Sequence, residues 1–191
     1  MNYSDYQERI KDFAVYPRIG NNLSYAVLGL INEFGEFIEK LSEILGVYPS
    51  NFHLDLLEGE AGDSCWYLGT CYNEIGENWS KILEDNSELY ENTYIDVKHS
   101  AKSDTMFAIG ISFLALARLA GFAKKAERDN GGNLLDNHRK EFTKILFIVQ
   151  ATLSCILEEY GISLQDVMKG NLSKLQSRKE RNVLHGDGDN R

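Results

Sequence analysis

The chain has 191 residues, 43% of them apolar and 26% charged, with a net charge of −9. That length fits one domain with a real core. The acidic balance argues against a general nucleic-acid binder, which carries a basic face, but leaves room for a nucleotide whose phosphates a metal masks.

In chain order, residues 4–14 read as an amphipathic helix with Ser4 as its N-cap. Tyr16 to Asn22 is a loop by composition. From about Leu23 to Leu45, apolar residues at Val27, Leu30, Phe34, Phe37, Ile38 and Leu41 follow the spacing of a helix with one buried face. Gly46 to Ser50 breaks that helix, and a second is predicted from about His53 to Glu77. Residues 84–104 are polar and read as a surface connection. Ser103 or Asp104 is predicted to cap a helix running to about Arg128, apolar on more than one face and so buried on several sides or used at an interface. Another broadly apolar helix spans about Asp136 to Tyr160. Ser163-Leu-Gln-Asp166 resembles a capping box opening a last helix over about 163–181. The tail from Leu184 to Arg191 is irregular, and no strand alternation of useful length occurs. The predicted class is an all-α bundle forming a single domain over 1–191.

Two acidic pairs stand out. Glu33 and Glu36 lie three apart on the first long helix, and Glu60 and Asp63 repeat that spacing on the second. Residues three apart share a helix face, and both pairs are set among apolar residues. Two helices that push four carboxylates towards a core are costly unless a cation sits between them. Mg²⁺, with Mn²⁺ as a substitute, prefers such hard oxygen ligands, water and phosphate completing its shell. A single Glu-x-x-Glu is ordinarily a solvated helix face; the pair of pairs points to a metal cup. Glu39 and Glu58 read as solvated bystanders.

A second pattern lies near the C-terminus, where Asn171, Lys174, Arg178 and Arg181 fall three to four apart. This stripe either holds phosphates or is ordinary helix C-terminal charge. His53, His99, His138 and His185 show no ligand spacing. Trp66 and Tyr67 beside Asp63 read as core, with stacking on a base as the functional option. Cys65, Cys71 and Cys155 form no C-x-x-C and are predicted to be reduced, buried thiols. The first residues lack a signal pattern. No apolar run is predicted to reach membrane-spanning length; Phe107 to Ala123 comes nearest, interrupted by Arg118. The setting predicted is cytoplasmic, without membrane or nucleic-acid partners.

Four blocks in order resemble the all-α nucleoside triphosphate pyrophosphohydrolases, in particular MazG-like proteins of bacteria and phages. Tyr25 to Glu36 is similar to that family's Gly-Leu-x-x-Glu-x-Gly-Glu helix, and Glu60 to Leu68 to its Glu-x-Gly-Asp-x-x-Trp-Tyr-Leu helix. Tyr160 to Leu175 resembles its last helix, and Arg178 to Arg191 a tail found in many members. The resemblance implies Glu33, Glu36, Glu60 and Asp63 as catalytic Mg²⁺ ligands. It implies Asn171, Lys174, Arg178 and Arg181 as substrate-binding residues, Asn171 and Arg181 being the looser matches. The implied reaction cleaves a (deoxy)nucleoside triphosphate between its α and β phosphates, yielding monophosphate and pyrophosphate. The implied assembly is a homodimer or higher homo-oligomer. Short members lack the stretch at about 80–158, which reads as an inserted helical hairpin. Two alternatives stay open: a dUTPase/dCTPase-like or alarmone-hydrolysing relative, and a non-catalytic helical interaction protein.

Overall fold

The computed structural model describes residues 1–46, 54–103 and 105–184. Among these, every regular element is helical, as the all-α reading expects. The α-helices are α1 (Tyr3–Ile10), α2 (Leu23–Ile44), α3 (Leu54–Glu74), α4 (Trp79–Asp85), α5 (Ser87–Ser103), α6 (Thr105–Asn130), α7 (Arg139–Glu159) and α8 (Leu164–Glu180). Short 3₁₀ turns follow α1 at Lys11–Phe13 and precede α7 at Asp136–His138. Polar side chains start several helices by accepting an otherwise orphaned backbone N–H. Asn22 accepts from Tyr25 N at 3.2 Å, Asn78 from Lys81 N at 2.9 Å, and Ser163 from Asp166 N at 3.1 Å. The first helix departs from expectation: Asn2 is its cap, in a reciprocal capping box with Asp5. Ser4 lies inside the helix, and its hydroxyl donates to Asn78 at 2.6 Å. His53, Asp104, His185 and the tail Gly186–Arg191 lie outside the described residues.

The centre of the fold is the packing of α2 on α3. Val27, Leu30, Phe34, Phe37 and Leu41 of α2, and Leu57, Ala61, Cys65 and Leu68 of α3, are buried in one core cluster. Gly29 makes the approach possible, because a Cβ there would stand 2.0 Å from the Tyr67 ring. α8 and α1 also pack on α3. At Gly62 a Cβ would lie 3.1 Å from that of Asn171 on α8. The loop before α2 is tied down by Glu74 at the end of α3. This buried carboxylate accepts from Tyr16 Oη at 2.7 Å, Gly20 N at 2.8 Å and Asn22 N at 2.5 Å.

Of the polar stretch 84–104, the described residues 84–103 are not a surface connection. They are the end of α4 followed by α5. Its apolar stripe is short but sufficient: Tyr90 packs edge-on against Phe147 with ring centres 5.6 Å apart. Tyr94 and Val97 pack with Ala151 and Cys155. Polar ties add to it, since Tyr94 Oη donates to Glu158 at 2.6 Å and Lys98 pairs with Glu158 at 2.8 Å. Among the described residues, the stretch at about 80–158 carries four helices, α4 to α7, where a hairpin is predicted.

α6 packs on α2 and α7 through Ala108, Ala115, Leu116, Leu119, Ala123 and Ala126. Met106, Phe107, Phe113 and Leu114 on the same helix are exposed. By length and composition this helix is sufficient to cross a membrane, against the expectation that no run reaches that length. Arg118 does not interrupt it; the side chain reaches out to Glu141 at 2.5 Å. The three cysteines are buried and unpaired, as expected.

Two glycines of α2 predict opposite outcomes. Gly29→Ala must displace the Tyr67 ring, hemmed by Tyr25 and Trp66, and lowers stability by about 1–3 kcal/mol. Gly35→Ala meets nothing within 4 Å and raises stability by up to about 1 kcal/mol through helix propensity. Denaturant unfolding of both variants checks the pair.

Candidate functional site

Phe34 and Phe37 point into the core from α2. The residues just before each of them, Glu33 and Glu36, therefore fall at the border of α2 with α3, and both are half-buried. On α3, Glu60 is 5% exposed. One carboxylate oxygen from each of Glu33, Glu36 and Glu60 lies within 4.8 Å of the others. Asn32 Nδ2 donates to Glu36 Oε1 at 2.7 Å and holds that carboxylate in place. Glu39 and Glu58 are exposed, as expected of bystanders. Three hard oxygen donors from two packed helices form a set that suits a divalent cation of the Mg²⁺ class.

The electrostatic cost is visible at Glu33. Its carboxyl is pushed up to about 7, first by burial and then by the charges of Asp63 and Glu36. The Asn32 hydrogen bond and the Lys174 charge oppose the shift.

Asp63 departs from the expected four-carboxylate cup. It lies one turn beyond Glu60, but its oxygens are engaged elsewhere. Oδ1 accepts from Asn171 Nδ2 at 2.9 Å, and Oδ2 accepts from Lys174 Nζ at 2.6 Å. Asn171 is itself held from the other side, since Tyr6 Oη donates to its Oδ1 at 2.8 Å. The bare Cα of Gly62 makes room for the Asn171 side chain. A line of bonds thus runs from α1 through α8 to α3 and orients Asp63.

Arg178 is 4% exposed and borders the same cavity as Glu33 and Asp63. This cavity, of about 120 Å³, has an aromatic wall of Phe13, Tyr25, Trp66 and Tyr67. Asn171, Lys174 and Arg178 therefore gather near the carboxylates. Arg181 does not: it is exposed, and its Nε donates to Ser177 O of its own helix at 3.3 Å. It caps the end of α8, one turn beyond Arg178.

Sequence reasoning misses Tyr6, Tyr25 and Phe13. Tyr6 and Phe13 lie in and just after the short first helix, far along the chain from the acidic pairs. Tyr25 offers a fainter signal, being two turns before Glu33 on the same helix. His99 is exposed and His138 packs its ring against Phe122, neither of them in the site.

Compared with known proteins, the chain is 33% identical to the "Gene 37 protein" of Mycobacterium phage L5 over 95 residues, which is 45% of this chain and 82% of the phage protein. No family model and no solved structure matches it.

The raised Glu33 carboxyl sets a pH dependence for the metal-free protein. The native state keeps its proton up to about pH 7, whereas the unfolded chain loses it near 4.5. The native state therefore binds more protons in that window, and stability falls as pH rises through it. The contribution is fully present below 4.5 and lost above about 7. Glu33→Gln is expected to flatten this fall and to stabilise the metal-free protein at pH 8 by about 1–2 kcal/mol, a figure reduced for solvent screening of a half-buried group. Thermal melts across pH 4–8 with chelator present measure it.

Proposed function

The chain belongs to the family of the gene 37 protein of Mycobacterium phage L5, and from the geometry of its acidic cluster we propose that it is a Mg²⁺-dependent nucleoside triphosphate pyrophosphohydrolase. The reaction takes a (deoxy)nucleoside triphosphate and water to the monophosphate and pyrophosphate. The relative's name states no activity, so the reading rests on the site and on the resemblance of its motifs to MazG-like proteins. The observation that carries it is the convergence of Glu33, Glu36 and Glu60 to within 4.8 Å beside a cavity bordered by Asp63 and Arg178. Groups with the chemistry to hold a cation and groups with the chemistry to hold phosphate stand side by side there.

Glu33, Glu36 and Glu60 are the residues that would hold the cation. When bound, a divalent cation neutralises the charge that builds on the leaving pyrophosphate and makes water a better nucleophile at neutral pH. Arg178 offers a planar fork of donors to phosphate oxygens, and Lys174 a mobile point charge. Tyr25, Trp66 and Tyr67 give a base an aromatic surface to lie on. A carboxylate of the cluster takes the proton from the attacking water. The reading places the enzyme in the cytoplasm as a homo-oligomer; the exposed Met106, Phe107, Phe113 and Leu114 on α6 support self-association.

The test is product analysis. A panel of ribo- and deoxyribonucleoside triphosphates, incubated with the protein and Mg²⁺, should yield monophosphate and pyrophosphate in equal amounts, and nothing with chelator. Glu36→Gln and Glu60→Gln should each lower kcat/KM by about 100-fold or more. Orthophosphate in place of pyrophosphate moves the cleaved bond and rejects this reaction. No product together with no cation uptake favours the non-catalytic bundle.

A further inference from the structure

Asp63 and Lys174 make a contact that the proposed reaction does not by itself require. Glu60 and Asp63 share one face of α3, and Asp63 borders the same cavity as Glu33. Asp63 is therefore within reach of the site of the three glutamates. What holds it back is a 2.6 Å ion pair to Lys174, with side chains 17% and 27% exposed.

The two bonds to Asp63 differ in how easily they can be exchanged. Asn171 is fixed by Tyr6 and by the close approach over Gly62. Lys174 ends in a point charge on a flexible four-carbon stem. Its ammonium can leave Oδ2 by side-chain rotation alone, while Asn171 keeps Oδ1 oriented and α8 stays docked. Any group that then takes Oδ2 meets a carboxylate already aimed.

We infer that Lys174 is a resident counter-ion of the acidic site, held on Asp63, and changes partners as the site loads. With a divalent cation bound by Glu33, Glu36 and Glu60, Asp63 Oδ2 turns from Lys174 to that cation. The freed ammonium of Lys174 turns to the phosphates of the nucleotide. This rests on the metal-binding reading above. Two consequences follow from shared groups. Lys174 competes with the cation for one oxygen, so it weakens cation binding in the absence of nucleotide. Nucleotide and cation each draw off one member of the ion pair, so each strengthens the binding of the other, and by linkage to the same extent. The site therefore resists holding either alone.

Calorimetric titration of the full chain with Mn²⁺ tests the exchange without any turnover. Lys174→Met is expected to bind Mn²⁺ about three- to tenfold more tightly than the wild type, the modest size reflecting a partly solvated pair. The same variant should bind a non-hydrolysable triphosphate analogue more weakly. A merely structural Lys174 would not raise cation affinity, and equal or weaker Mn²⁺ binding by the variant overturns the inference. A second readout uses the wild type, so it does not depend on the variant folding. Acetylation of Lys174 by a small activated ester, followed by mass spectrometry, should quicken when Mn²⁺ is added. Unchanged or slower labelling in a protein that takes up Mn²⁺ also overturns the exchange and leaves the metal reading standing. If the wild type takes up no Mn²⁺, both fall.

Discussion

Like charges gathered at the seam between two packed helices are the constraint around which this structure is arranged. Glu33, Glu36, Glu60 and Asp63 come from α2 and α3, whose contact also supplies much of the core. Removing a carboxylate from water is costly, and each neighbouring negative charge adds to the cost. Several contacts offset that cost. Glu33 is driven towards its neutral form. Glu36 receives a hydrogen bond from Asn32. Asp63 is neutralised by Lys174 and satisfied by Asn171.

The second layer of the fold keeps that seam rigid. α8 brings Asn171, Lys174 and Arg178 to the acidic side of α3, and α1 braces Asn171 through Tyr6. Glu74 does similar work at the far end of α3, gathering the loop that leads into α2. The middle helices lie on other faces: α6 covers α2, and α7 joins α5 and α6 to the core. The acidic cluster is thus built from the first three helices and the last, while α4 to α7 supply support and an exposed apolar surface.

The fold was readable where apolar spacing was strong. α2, α7 and α8 fall within a residue or a few of their expected bounds because their apolar stripes are long and their ends carry Asn, Gly or Ser. α5 was not readable, because three side chains, Tyr90, Tyr94 and Val97, carry its burial within an otherwise charged stretch. Their value depends on Phe147, Ala151 and Cys155, more than fifty residues further on. The first helix cap was missed for a smaller reason. Asn2 and Ser4 are both good caps, and the choice falls to Asn2 because the hydroxyl of Ser4 is bonded to Asn78 across the fold.

For the site, the sequence by itself determined which groups are present and which share a helix face. Spacings of three and four residues place Glu33 with Glu36, Glu60 with Asp63, and Lys174 with Asn171 and Arg178, because side-chain direction within a helix is local geometry. Only the tertiary structure decided how those faces meet. It brought three of the four carboxylates within 4.8 Å, gave the fourth to Lys174 at 2.6 Å, drew in Tyr6 and the aromatic wall, and left Arg181 in solvent. Those outcomes turn on the separation and rotation of helices far apart in the chain. Gly29 and Gly62 control that separation by what they lack, and an absent side chain shows its effect only when a partner helix is set against it.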